Sequence, residues 1–184
     1  MDIKQITVVK REVKYPRLEL KSGEPMLVLP QRGNFDPEEV IGKHRKWLEK
    51  KLDFIEEIKN KYKNQKLYQR NEKELIRIVE SLVEKYLKIL KTRPSKIKFR
   101  WMKSRWGSCS KKGSVNLNLM LRHLPFSLIR YVVFHEMVHL LVKNHSKNFW
   151  LYIKKGFKDY RQYEEKLFGY WFLVNFKKPT PGVG

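Results

Sequence analysis

The sequence predicts an α+β protein, and three observations carry that prediction. Two regions, residues 3–30 and 97–119, carry strand-like patterns, and several longer segments repeat apolar residues at helical spacing. The chain has 184 residues, 41% of them hydrophobic, enough for one domain with a core and a small accessory element.

In chain order, the first region reads as a small antiparallel β-meander. "RLEL" (17–20) alternates polar and apolar residues, "KSGEP" (21–25) has turn composition, and "MLVLP" (26–30) is a short apolar run closed by proline. "NFDPEE" opens a helix, with Asp36 as N-cap, Pro37 at the first helical position, and Glu38 and Glu39 at the positive end. Val40, Ile41, His44, Trp47, Leu48, Leu52, Ile55 and Ile58 follow at helical spacing, and the polar stretch Lys59–Lys66 reads as a linker.

A second amphipathic helix is expected over Glu72–Leu90, striped by Leu75, Val79, Leu82, Val83, Tyr86 and Leu90 and stopped by "TRPS". Ile97, Phe99 and Trp101 then alternate with Lys98 and Arg100, and Val115, Leu117 and Leu119 with Asn116 and Asn118. With "SKKGS" as turn material, the segment Ile97–Leu119 reads as a hairpin carrying "RWGSC". A helix is expected from about Pro125 to Val142, another after a Ser146 cap, and a third over Tyr160–Phe168. The aromatic run "YWFLVNF" (170–176) is read as a docked terminal strand or helix. The organisation expected is an accessory region over 1–65, a catalytic domain over 66–176 and a flexible tail over 177–184.

Composition narrows the classes of function. No apolar run approaches the roughly 18–20 residues that cross a bilayer, and charged residues recur too often near the N-terminus for a secretory signal. The expectation is a cytoplasmic protein without a membrane partner. The single cysteine, Cys109, excludes an internal disulfide framework and a cysteine-rich zinc site. The net charge of +22 is read two ways, as an anionic partner such as nucleic acid or a nucleotide, or as solvated lysine-rich faces. The cations are spread over every segment, and no nucleic-acid motif is visible.

The chemistry concentrates in "YVVFHEMVHLLVKNHSKNFW" (131–150). In "HEMVH", His135 and His139 lie four residues apart, one turn of a helix, so both imidazoles face one side and reach a single zinc ion. Glu136, adjacent but not a ligand, is placed to act as general base on a water activated by the metal. A catalytic zinc takes three protein ligands and keeps one position open. His145, just past the helix, is the nearest third ligand, and a downstream carboxylate, Glu164 or Glu165, is the alternative. The helix is otherwise apolar, and buried His and Glu side chains without a partner are costly, so a metal is the simplest compensation.

Other residues carry weaker expectations. Arg105 is a candidate to stabilise an oxyanion or grip an anionic substrate group. Asn116 and Asn118 are candidates to contact substrate or orient a ligand histidine. Gly107 is read as meeting a backbone need at a turn or bulge. Cys109 is read as a small buried side chain and His44 and His123 as surface or packing histidines, while Tyr131 or Tyr152 could donate to a transition state.

"RWGSC", a turn, "LNLML", a proline, "YVVFHEMVH" and "NHSKNFW" stand here in an order that resembles the YgjP-like metal-dependent hydrolases, a minimal zincin family similar to the SprT-like and WLM peptidases. The resemblance covers about residues 13–160. It implies zinc at His135, His139 and His145 with Glu136 as general base. It also implies a zincin-like core, a small and mostly antiparallel sheet packed on the active-site helix, preceded by the β-meander and helix. The function expected is a zinc metallopeptidase acting on peptides or proteins. Two alternatives keep the same site: hydrolysis of a nucleoside triphosphate to release pyrophosphate, and a nucleic-acid-associated protease of SprT-like type.

Overall fold

A computed structural model describes residues 6–21 and 23–176, so the expected tail over 177–184 lies outside the described residues. The chain divides into two compact units, Met1–Lys61 and Tyr62–Gly184.

In the first unit, β1 (Thr7–Arg11), β2 (Arg17–Lys21) and β3 (Glu24–Pro30) form a sheet of order β1-β3-β2. β3 pairs antiparallel with β2 and parallel with β1. The expected meander is therefore corrected to a mixed sheet with the third strand in the centre. The physical reason is burial: the continuous apolar run Leu27–Pro30 is buried residue after residue, the pattern of a central strand rather than a half-exposed edge. Ile6, Leu27, Leu29, Ile41 and Leu48 form the core of this unit.

Helix α1 (Pro37–Tyr62) packs Ile41 and Leu48 into that core. It begins where Asp36 Oδ1 accepts the Glu38 N–H at 3.0 Å. It runs beyond Ile58 because Lys59 and Lys61 are good helix formers at the negative helix end. Of the expected stripe, His44 and Trp47 are exposed.

The second unit holds the rest. α2 (Glu72–Leu90) starts in a reciprocal capping box, Asn71 Oδ1 accepting from Glu74 N at 2.9 Å and Glu74 Oε2 accepting from Asn71 N at 2.7 Å. It ends at Lys91, left-handed at φ 51°. Its stripe of Leu75, Val79, Leu82, Val83 and Tyr86 is buried.

The strands β4 (Lys96–Arg100), β5 (Gly107–Cys109) and β6 (Ser114–Asn118) form a sheet of order β4-β6-β5. β5 and β6 make the tight antiparallel hairpin, closed by Gly113 at φ +77°, whereas β4 runs parallel to β6. The expected hairpin over Ile97–Leu119 and the mostly antiparallel sheet are corrected accordingly. Alternation sets which residues share a face but not strand direction, and the Trp101–Trp106 segment carries the chain across so that the apolar β6 takes the buried centre.

A 3-10 turn (Leu119–His123) leads into α3 (Phe126–Val138), then α4 (Lys147–Gly156) and α5 (Tyr160–Phe176). α3 carries the buried Tyr131, Val132, Val133, Phe134, Met137 and Val138 at the heart of the unit. The aromatic run Tyr170–Val174 is a buried part of one continuous helix, α5. No described helix is long and apolar enough to cross a membrane.

Candidate metal centre

α3 places His135 and Glu136 in its last turns, and His139 caps its end, donating its backbone N–H to His135 O at 3.2 Å. The helix stops four residues earlier than its apolar pattern suggests. Tight bonds from Leu140 N to Met137 O and from Leu141 N to Val138 O, both 3.0 Å, wind the chain into a turn. That turn returns His145 over His135 and His139.

The three imidazoles converge. His145 Nε2 lies 3.1 Å from His135 Nε2 and 3.2 Å from His139 Nε2. Nitrogens bound tetrahedrally to one zinc at about 2.05 Å stand roughly 3.3 Å apart, so the spacing fits a single ion of that size. Among the described residues, these three form the group whose ligand atoms could share a metal. The donor chemistry fits as well. His139 Nδ1 lies 3.0 Å from Val142 O, which assigns the proton to Nδ1 and leaves the Nε2 lone pair facing the centre.

Burial, assisted by the neighbouring imidazoles, lowers the pKa of His135 to about 3, and burial lowers that of His139. Both rings are therefore neutral donors at neutral pH. Phe149, fully buried on α4, is the floor. It stacks on His139 at 4.4 Å and meets His135 and His145 edge-on at 4.9 and 4.7 Å, while Trp150 stacks on His145 at 5.6 Å. Ser146 stands at the N-cap of α4 as expected, though its side chain makes no cap hydrogen bond.

Glu136 sits beside this cluster, 6% exposed, and no partner is found for its Oε2 among the described residues. Burial raises its pKa to about 8 against the opposing pull of Arg105. Its carboxylate lies flat on β5: a Cβ added at Gly107 would stand 2.6 Å from Glu136 Oε1. Gly107 therefore serves a close approach rather than the expected turn or bulge. Its signal in the sequence is a glycine within a strand next to a site residue.

A cleft of about 580 Å³ opens over these groups, lined by Arg105, Gly107, Cys109, His135, Glu136, His139, Lys143, His145 and Glu164 among others. The structure thus brings Arg105 to the site but not Asn116 or Asn118, which do not line the cleft. Asn116 Nδ2 donates to Ser108 Oγ at 3.2 Å. Asn118 is fully committed, donating to Met102 O at 2.9 Å and Arg105 O at 2.8 Å and accepting from Met120 N at 3.0 Å. Its contribution is to pin the loop that carries Arg105.

Glu164, weighed as an alternative ligand, approaches the opposite edge of His135, with Oε1 3.6 Å from Nδ1. Glu165 accepts from Tyr62 at 3.0 Å. The Tyr131 hydroxyl donates to Glu164, and Tyr152 does not line the cleft. Cys109 is half-buried, its thiol pKa raised by burial against the nearby Lys143.

Imidazole nitrogens converging beside a buried carboxylate are the donor set of a metallohydrolase. The chain belongs to the YgjP-like family: the model described as "YgjP-like, metallopeptidase domain" matches residues 58–169, more than half its length. It is thus placed among metal-dependent peptidases. Two solved structures are similar to part of it. They are the metallopeptidase zymogen of Pyrococcus abyssi abylysin (29% identity, 48% of this chain and 90% of that chain, TM-score 0.45) and that of Methanocaldococcus jannaschii jannalysin (25% identity, 48% and 92%, TM-score 0.44). No curated protein matches the chain.

Proposed function

We propose that the chain is a zinc-dependent peptidase in which His135, His139 and His145 hold the ion and Glu136 is the general base. The carrying observation is the approach of three Nε2 atoms to one another beside a buried carboxylate with an oxygen that lacks a hydrogen-bond partner. When bound, zinc would polarise the substrate carbonyl and acidify the attacking water.

The chain's own residues supply the rest. Val142 O orients His139, and Phe149 and Trp150 hold the rings. Glu136, its carboxylate kept ionised by the adjacent cation, takes the proton from the attacking water and passes it to the leaving amine. Gly107 leaves that carboxylate room to face the cleft. Arg105, exposed on the rim, faces the charge that develops on the carbonyl oxygen. The catalytic region proposed is residues 66–176.

A second reading keeps the site and changes the substrate to a phosphorylated one, such as a nucleoside triphosphate. Arg105 and Lys143 on the cleft wall favour it. One experiment separates the two: wild type and Glu136→Gln, zinc-loaded, tested together on peptide libraries and on nucleotides. Peptide cleavage lost in the variant supports the first reading, and pyrophosphate release lost in the variant supports the second. Peptide cleavage unaffected by Glu136→Gln removes the assigned base.

A further inference from the structure

We infer that Tyr131 and Glu164 form a positioning pair for His135, a role that rests on the zinc reading above. Tyr131 and His135 lie one turn apart on α3 and so share a face. Glu164 comes from α5. The Tyr131 hydroxyl donates to Glu164 Oε1, and that same oxygen stands 3.6 Å from His135 Nδ1. Nδ1 is the ring nitrogen facing away from the cluster, since Nε2 is the atom that approaches His145.

The distance exceeds a hydrogen bond by roughly half an ångström, a gap that a small side-chain shift closes. Closed, the carboxylate holds the proton on Nδ1, leaves the Nε2 lone pair to the ion and makes the ring a stronger donor.

Tyr131 is what gives Glu164 a fixed seat. Its ring is fully buried, stacked on Tyr163 at 5.1 Å and edge-on to Phe157 at 5.1 Å, so the hydroxyl points one way. The Glu164 side chain is 44% exposed and without that donor would be free to turn to solvent. His139 receives the equivalent support from a main-chain oxygen, Val142 O. Of the imidazoles of His135 and His139, one is thus oriented locally and the other by a residue far along the chain. α5 is tied to the site a second time, because Leu167 O accepts from Trp106 Nε1 at 3.2 Å and Leu167 lines the cleft.

The test is zinc affinity, by competition with a chromogenic chelator, for the full chain and for Glu164→Ala, Glu164→Gln and Tyr131→Phe. Melting of the metal-free proteins and the visible spectra of their cobalt-loaded forms are recorded alongside. Glu164→Ala is expected to weaken zinc binding about 10–100-fold and to alter the cobalt spectrum, with metal-free melting close to wild type. Glu164→Gln keeps an acceptor without the charge and falls between, and Tyr131→Phe weakens binding in the same direction. The pair is overturned if Glu164→Ala and Tyr131→Phe bind zinc within about threefold of wild type with unchanged cobalt spectra. It is equally overturned if affinity falls only as far as metal-free melting does. A wild type that binds no zinc overturns the metal reading together with the pair.

Discussion

At the residue scale, Glu136 concentrates the competing forces. Replacing it by glutamine is expected to lower turnover by about 10²–10⁴-fold, read from initial rates on whichever substrate the wild type cleaves. The same variant reports on burial. In the metal-free protein the pKa of Glu136 is raised from 4.5 to about 8, so its contribution to stability is full below the lower value and is lost as pH rises through the upper one. Glutamine stays neutral throughout. The melting temperature of metal-free Glu136→Gln should therefore gain on that of the wild type between about pH 5 and pH 9, and a constant difference would contradict the shift. Gly107→Ala forces a methyl onto Glu136 Oε1, a 2.6 Å approach. It is expected to destabilise by about 1–3 kcal/mol and to depress activity more than zinc content, checked by urea titration and metal analysis.

At the element scale, different parts of the chain support fold and site to different degrees. Neither Asn71 nor Glu74 of the α2 capping box lines the cleft. Asn71→Ala should cost about 1 kcal/mol in urea unfolding and leave zinc affinity unchanged. Asn118 is wholly buried and holds the Met102–Arg105 loop through two carbonyls. Asn118→Ala leaves those acceptors unpaired, and a loss of about 1–3 kcal/mol is expected together with reduced activity, because Arg105 loses its mooring. Helix α2 was legible because its apolar stripe and the "TRPS" stop agree, whereas its Asn71 capping box was seen only in the structure. α3 was legible except at its end: the apolar pattern continues through Leu140, Leu141 and Val142, and only backbone bonding shows that the chain has already turned.

At the scale of the whole molecule, folding and metal binding are linked. Zinc at 100 times its dissociation constant should stabilise the chain by about 2.7 kcal/mol, and a chelator should remove that gain, read as a shift in melting temperature. The net charge of +22 acts at this scale too, with Arg105 and Lys143 bringing part of it to the cleft. Strand direction also belongs here. The period of two in Ile97–Trp101 and Val115–Leu119 was visible, but the parallel pairing of β4 with β6 depends on how the intervening segment crosses the sheet.

The sequence by itself determined most of the element types, most of the buried stripe of α2 and the histidines and glutamate of the candidate site, because these follow from local periodicity and from the spacing of one helix turn. Only the tertiary structure decided strand order, the seating of Glu136 against Gly107, the aromatic floor of Phe149 and Trp150, and the arrival of Glu164 behind His135. Each of these joins residues from separate elements, and their contact is set by the packing of the whole core, which no local pattern encodes.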